Sequence, residues 1–178
     1  MKAFDLARRG LIVSLATASG SGAVRVAAEQ AQARAVGEGW FSAFGLKIRV
    51  EVSTSSTNGV MSATRVISPP GGGPPAHSHT REDEVFLIVR GRYRFWQKGM
   101  PTIDASAGSL VRQHKGMIHQ YRNVSNEEGE HIVICLPGGL EELFAIVASE
   151  QLIVPRDMQR VIALSADYGI KYESSIAD

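Results

Sequence analysis

The fold of this chain is constrained most strongly by a series of short segments in which apolar and polar residues alternate. Residues 46–52 alternate without interruption, which places the apolar side chains on one face and the charged side chains on the other. This pattern predicts a half-buried strand. Similar segments follow at short spacing, most of them separated by Gly, Pro, Asn or Ser: 60–67, 85–89, 92–96, 109–112, 118–124 and 131–136. Many short strands joined by turns predict an antiparallel sandwich or barrel.

The segment 85–89 differs from the others because it is apolar at every position. A strand with apolar residues on both faces is expected to be covered on both. We therefore expect a second sheet, a terminal segment or another subunit to lie against each face.

The apolar period changes after Pro137. Leu140, Leu143, Phe144 and Val147 recur at helical spacing, and Glu141 and Glu142 occupy the first turn, where the helix dipole favours anions. A second helix is predicted from about Pro155 to Tyr168, with a buried stripe of Val161, Leu164 and Tyr168. We expect both helices to close the open end of the barrel.

The first 28 residues resemble a bacterial export signal. Lys2, Arg8 and Arg9 precede the short apolar run 11–18, and small residues follow up to Ala28. The Arg8-Arg9 pair resembles a twin-arginine variant, which predicts export to the periplasm and cleavage after Ala28 or Ala35. The alternative is an amphipathic helix of a cytoplasmic protein, and Arg25, late in the segment, fits that alternative.

Composition excludes several classes of function. The chain has 178 residues, 19 basic against 18 acidic, and removal of residues 1–28 leaves 15 basic against 17 acidic. This balance gives no support for a nucleic-acid partner. The single Cys135 excludes a disulfide framework and a multi-cysteine zinc site. Because no long uncharged apolar stretch is present, we expect no membrane span in the mature protein.

Candidate metal ligands lie between residues 71 and 123. His77 and His79 are two positions apart, so on a strand both point to the same face. Glu84 opens the following apolar segment, and His119 lies forty residues after His79. Three imidazoles and one carboxylate suit one divalent ion of Fe, Mn, Ni, Cu or Zn and leave coordination positions open.

The glycines and ligands around this cluster resemble the two motifs of the cupin superfamily. The first motif is matched at every position by Gly71, His77, His79, Glu84 and Gly91. The second is matched by Gly108, Gly116, His119 and Asn123, with His114 where the family usually has proline, a departure that affects loop geometry. The flanking segments are similar to those of quercetin 2,3-dioxygenase-like single-domain cupins.

This resemblance implies a mainly β fold, a double-stranded β-helix (jelly-roll) barrel over 40–137, followed by a helical cap over 138–178. It implies a mononuclear metal on His77, His79, Glu84 and His119, and a dioxygenase acting on a flavonol, catechol or diketone, with Glu84 accepting the substrate proton. It also implies a homodimer. Two alternatives stay open: a non-catalytic module that binds a metal or small ligand, and a metal-dependent isomerase or lyase.

The sequence also predicts the environments of four further residues. His131 precedes an apolar strand and is expected to be exposed, and His114 is expected near the pocket rim. Cys135 lies in an apolar strand and is expected to be buried and inert. Tyr121 shares the parity of His119 and lies either in the pocket or in the core.

Overall fold

The computed structural model describes residues 39–173. These residues form eleven strands, two α-helices and one 3-10 turn. The strands are β1 Phe41–Ala43, β2 Leu46–Val52, β3 Ser62–Ser68, β4 His77–His79, β5 Asp83–Arg90, β6 Arg92–Gln97, β7 Ile103–Ser106, β8 Leu110–Gln113, β9 His119–Asn123, β10 Gly129–Leu136 and β11 Ile170–Tyr172. The helices are α1 Leu140–Ser149 and α2 Met158–Asp167, and the 3-10 turn is Ser55–Thr57.

Two antiparallel sheets make up the barrel. The first has the order β1-β2-β3-β10-β5-β8, and the second has the order β11-β4-β9-β6-β7. Apolar side chains of both sheets join in one core, which includes Ile48, Phe86 and Val133 from the first sheet and Phe95 and Tyr121 from the second. This arrangement is the predicted jelly-roll barrel.

The predicted strands are present with small shifts at their ends. β2 has the predicted bounds, whereas β5 and β10 begin two residues earlier than predicted. Four strands lie outside the predicted segments: β1, β7, β11 and β4, the last of which was considered only as a strand that would align His77 with His79. Each has only three or four residues, too few for alternation to stand out from its surroundings.

The two faces of β5 differ in how they are covered. Phe86 and Ile88 lie in the core, but Val85 and Leu87 on the outer face are half-buried and Val89 is exposed. Among the described residues, therefore, the outer face is only partly covered. A homodimer stays a prediction.

The C-terminal helices have separate roles. Leu140, Leu143 and Val147 of α1 are buried as predicted, and α1 packs on β1 and β3. α2 begins at Met158, three residues after Pro155, buries Val161 and Leu164, and packs on β11 and α1. In the part of the chain that the structure describes, no helix combines the length and the apolar character needed to span a membrane. The predicted export signal lies outside the described residues and stays a prediction.

The expectation for His131 was wrong. His131 is the third residue of β10, a central strand flanked by β3 and β5, and its side chain is fully buried. The polar residues 125–128 precede β10, and the strand itself begins at Gly129. Burial thus follows from the position of β10 in the sheet, which the local sequence does not reveal.

Candidate metal centre

The four predicted ligands come together between the two sheets. β4 and β9 of the second sheet carry the three histidines, with His77 opposite His119 in register. β5 of the first sheet carries Glu84. One potential ligand atom from each residue lies within 4.8 Å of all the others, and all four side chains are buried.

A tightly packed turn leads into β4. A Cβ atom on Gly73 would lie 2.0 Å from the carbonyl oxygen of Tyr121, so only glycine fits there. The neighbouring Gly71 N–H donates to the carbonyl of Asn123, and the Asn123 N–H donates to the carbonyl of Gly72. These contacts fix the histidine pair of β4 against β9.

Hydrogen bonds fix the orientation of all three imidazoles. Nδ1 of His77 bonds to the carbonyl of Pro75 at 2.8 Å, and Nδ1 of His119 bonds to the carbonyl of Met117 at 2.9 Å. Nδ1 of His79 bonds to the Glu82 carboxylate at 2.7 Å. All three partners accept hydrogen bonds, so each Nδ1 carries a proton and each Nε2 is left facing the other donors.

The donor atoms fit a divalent cation. Oε2 of Glu84 lies 2.9 Å from Nε2 of His119 and 3.5 Å from Nε2 of His79. All three atoms are buried without a hydrogen-bond partner. Lone pairs this close repel one another unless a cation or a proton lies between them. A cation bound by these atoms and His77 would satisfy all of them.

Electrostatics favour the metal-binding forms of Glu84 and His77. Burial, together with the neighbouring His79 and His119, lowers the pKa of His77 to about 3. Burial alone would raise the pKa of Glu84, but His79 and His119 outweigh it and lower this pKa to about 2. Burial likewise opposes charge on His79, yet Glu84 and Glu82 raise its pKa above the ordinary value. Glu84 is therefore ionised and His77 neutral at physiological pH.

A cavity of about 60 Å³ adjoins the cluster. Apolar and aromatic side chains dominate its wall, and none of the described residues lining it is Lys or Arg. α1 contributes Leu140, Leu143 and Phe144, and β11 contributes Ile170 and Tyr172. The ring of Tyr172 lies 5.9 Å from that of His77. Of the two C-terminal helices, then, α1 lines the cavity, and α2 lies behind β11.

The structure separates the other candidate residues by role. Tyr121 belongs to both environments that sequence left open, because it lines the cavity and packs in the core. Asn123 is buried, and its side chain bonds to backbone groups of Ser68, Pro69, Ser125 and Glu127. Cys135 is buried as expected, and burial raises the pKa of its thiol. Its role is therefore packing.

His114 lies outside the metal cluster. It is exposed and lines a second cavity of about 280 Å³ with Arg112 and Met100. Its backbone N–H donates to Oε1 of Gln97 at 3.2 Å. The departure from the motif proline thus changes a surface loop and leaves the four clustered donors in place.

Sequence reasoning missed Glu82 and His131. Glu82 was detectable in principle, because an acidic residue three positions after the second histidine can reach back to its ring. No feature of the local sequence indicates that His131 lines the cavity, because the pairing of β10 with β5 places it there.

The fold and the site together define a jelly-roll barrel that could hold one metal ion between its sheets, bound by three imidazoles and a carboxylate. Residues 64–135 match the cupin domain family. The matched stretch contains all four clustered donors, so this part of the chain is similar to cupin domains. No curated protein sequence matches it.

Several solved structures are similar to part of this chain. A predicted oxalate decarboxylase from Thermotoga maritima is 22% identical with a TM-score of 0.48, over 52% of this chain and 80% of the other. KdgF from Halomonas sp. is 18% identical with a TM-score of 0.49, over 55% of this chain and 84% of the other. A recombinant oxalate oxidase in complex with glycolate is 23% identical with a TM-score of 0.46, over 52% and 51% of the two chains.

Proposed function

We propose that this protein is a metal-dependent oxygenase of the dioxygenase type that acts on a small, largely apolar organic molecule bearing metal-binding oxygens. The observation that carries the proposal is a four-donor cluster opening onto an apolar cavity with no cationic side chain in its described wall. When bound, the divalent metal would supply open positions for substrate oxygens and for O2.

The protein would contribute a base and a dry environment. Glu84 is the one carboxylate among the four clustered donors, so it is placed to accept a proton from an enol or a catechol hydroxyl. The side chains from α1 and β11 would exclude water from the reacting oxygens.

Cavity size narrows the substrate class. The cavity measures about 60 Å³, well below the roughly 150 Å³ of a cavity that binds benzene, so diketones, the smallest of the candidate substrates, fit better than a catechol ring. A flavonol, with its fused and pendant rings, is too large for this space. A sugar acid is also a poor match, because its carboxylate would face a wall without Lys or Arg among the described residues.

Oxygen uptake tests this proposal. The metal-loaded protein is mixed with a panel of diketones, catechols and flavonols, and O2 consumption is followed with an electrode. We expect uptake with at least one diketone or catechol and a loss of about 100-fold or more in kcat for Glu84→Gln. The control is His114→Ala, an exposed histidine outside the cluster, which should retain full activity.

Two results would count against the proposal. Absence of uptake across the panel by metal-loaded protein would favour the binding module or the isomerase and lyase alternatives. Parallel loss of metal and turnover in Glu84→Gln would restrict Glu84 to metal ligation.

A further inference from the structure

The cavity contains one more imidazole, His131, whose hydrogen bonding differs from that of the three clustered histidines. His131 is fully buried, and neither Nδ1 nor Nε2 has a hydrogen-bond partner among the described residues. In His77, His79 and His119, by contrast, Nδ1 is bonded to the protein. A buried donor and acceptor left unsatisfied are costly, so a partner outside the protein is expected.

The surroundings of His131 are aromatic. Its ring centroid lies 5.4 Å from that of Phe86, 5.0 Å from that of Tyr93 and 4.9 Å from that of Tyr121. Burial lowers the pKa of His131 to about 3, so the ring is neutral at physiological pH. A neutral imidazole offers one N–H donor and one lone pair.

His131 and the metal cluster lie at opposite ends of the cavity. Along β10, Cys135 pairs with Glu84 and His131 pairs with Ile88. The two positions on β10 are four residues apart, which corresponds to roughly 13 Å along the strand. Phe86, Tyr121 and Val133 line the same cavity. The cavity therefore has polar ends and a predominantly apolar wall.

We propose that His131 binds a second polar group of the substrate, at the end remote from the metal. This inference rests on the proposed function, because it assumes that the substrate's other oxygens bind the metal. It defines a substrate class: small molecules with metal-binding oxygens at one end, a hydroxyl or carbonyl at the other, and an apolar link between them. His131 is thus a specificity-determining residue.

A ligand series tests this placement on the full chain loaded with Co²⁺, whose visible spectrum reports ligand binding. Hydroxamates bind metals through two oxygens. Members with a terminal hydroxyl one to five carbons from the hydroxamate are compared with methyl-terminated members of equal length. We expect one length at which the hydroxyl tightens binding about fivefold to tenfold, and we expect His131→Phe to abolish that difference.

Two controls separate recognition from structure. His114→Phe makes the same substitution outside the metal cavity and should retain the preference. The methyl-terminated members should bind His131→Phe as they bind the wild type, and its melting temperature should be equal or higher, because an unsatisfied imidazole is replaced by a ring that suits the aromatic surroundings. If His131→Phe does not fold, His131→Leu carries the same expectation for binding.

The inference would be overturned if the series did not bind or if no member showed a hydroxyl preference. It would also be overturned if the preference survived in the His131 variant. A lowered melting temperature in His131→Phe would contradict it too, because that result would indicate a structural role. Failure of the oxygenase proposal is distinguishable, because the titration involves no reaction with O2.

Discussion

Nδ1 of His79 donates a hydrogen bond to Oε1 of Glu82 over 2.7 Å, and both side chains are buried. This contact makes Glu82 part of the metal centre although it is not one of the four clustered donors. It holds the ring with Nε2 toward Glu84, and its negative charge makes the imidazole a stronger donor.

Substitution of Glu82 is therefore expected to weaken metal binding. Glu82→Gln should raise the metal dissociation constant about 10-fold, and Glu82→Ala up to about 100-fold, as measured by competition with a chelator. Glu128→Gln is the control, because Glu128 is exposed and pairs with Lys47. Unchanged affinity in both Glu82 variants would show that His79 needs no such support.

Stability of the metal-free protein should fall with acid partly because of His131. Its folded pKa of about 3 is below the ordinary 6.5, so between these values the unfolded chain binds the extra proton and unfolding is favoured as pH falls. The slope approaches about 1.4 kcal/mol per pH unit. Urea unfolding at pH 6 and pH 4.5 should show a loss about 1–2 kcal/mol smaller in His131→Phe than in the wild type. Equal losses would contradict the burial of a neutral ring.

The turn before β4 should not tolerate a side chain at Gly73. In Gly73→Ala the new Cβ would collide with the carbonyl of Tyr121, and we expect a loss of about 3 kcal/mol or more in the free energy of unfolding. Gly108→Ala is the matched control, because Gly108 also has a positive φ but a Cβ there would meet nothing within 4 Å. Equal losses in urea unfolding would show that conformation, and not the collision, sets the cost.

Glu141 anchors α1 to the barrel. Its position in the first turn indicated only a favourable interaction with the helix dipole, but its side chain is also buried. It is fully buried, and its carboxylate accepts hydrogen bonds from the backbone N–H of Thr54 at 2.6 Å and of Gly139 at 3.2 Å. Glu141→Ala should lower the free energy of unfolding by about 2–3 kcal/mol, and Glu141→Gln by less, since one acceptor oxygen remains. No loss in the alanine variant would contradict this anchoring role.

Sequence predicted those parts of the site that depend on local spacing. His77 and His79 share a face because strand residues alternate, and β2 was recognised from its regular pattern. The parts that depend on pairing between distant segments were not predictable. His131 enters the cavity through the position of β10 between β3 and β5, and β11 comes to lie beside the histidine strand β4 although some ninety residues separate them.

Metal content tests the central claim most directly. Elemental analysis of the purified full chain, made with divalent Fe, Mn, Ni, Cu and Zn available, should find about one ion per chain in the wild type and in His114→Ala. The same analysis should find it largely lost in His77→Ala and His119→Ala, because each removes one of the four clustered donors. Substoichiometric metal in the wild type that neither cluster substitution changes would contradict the site.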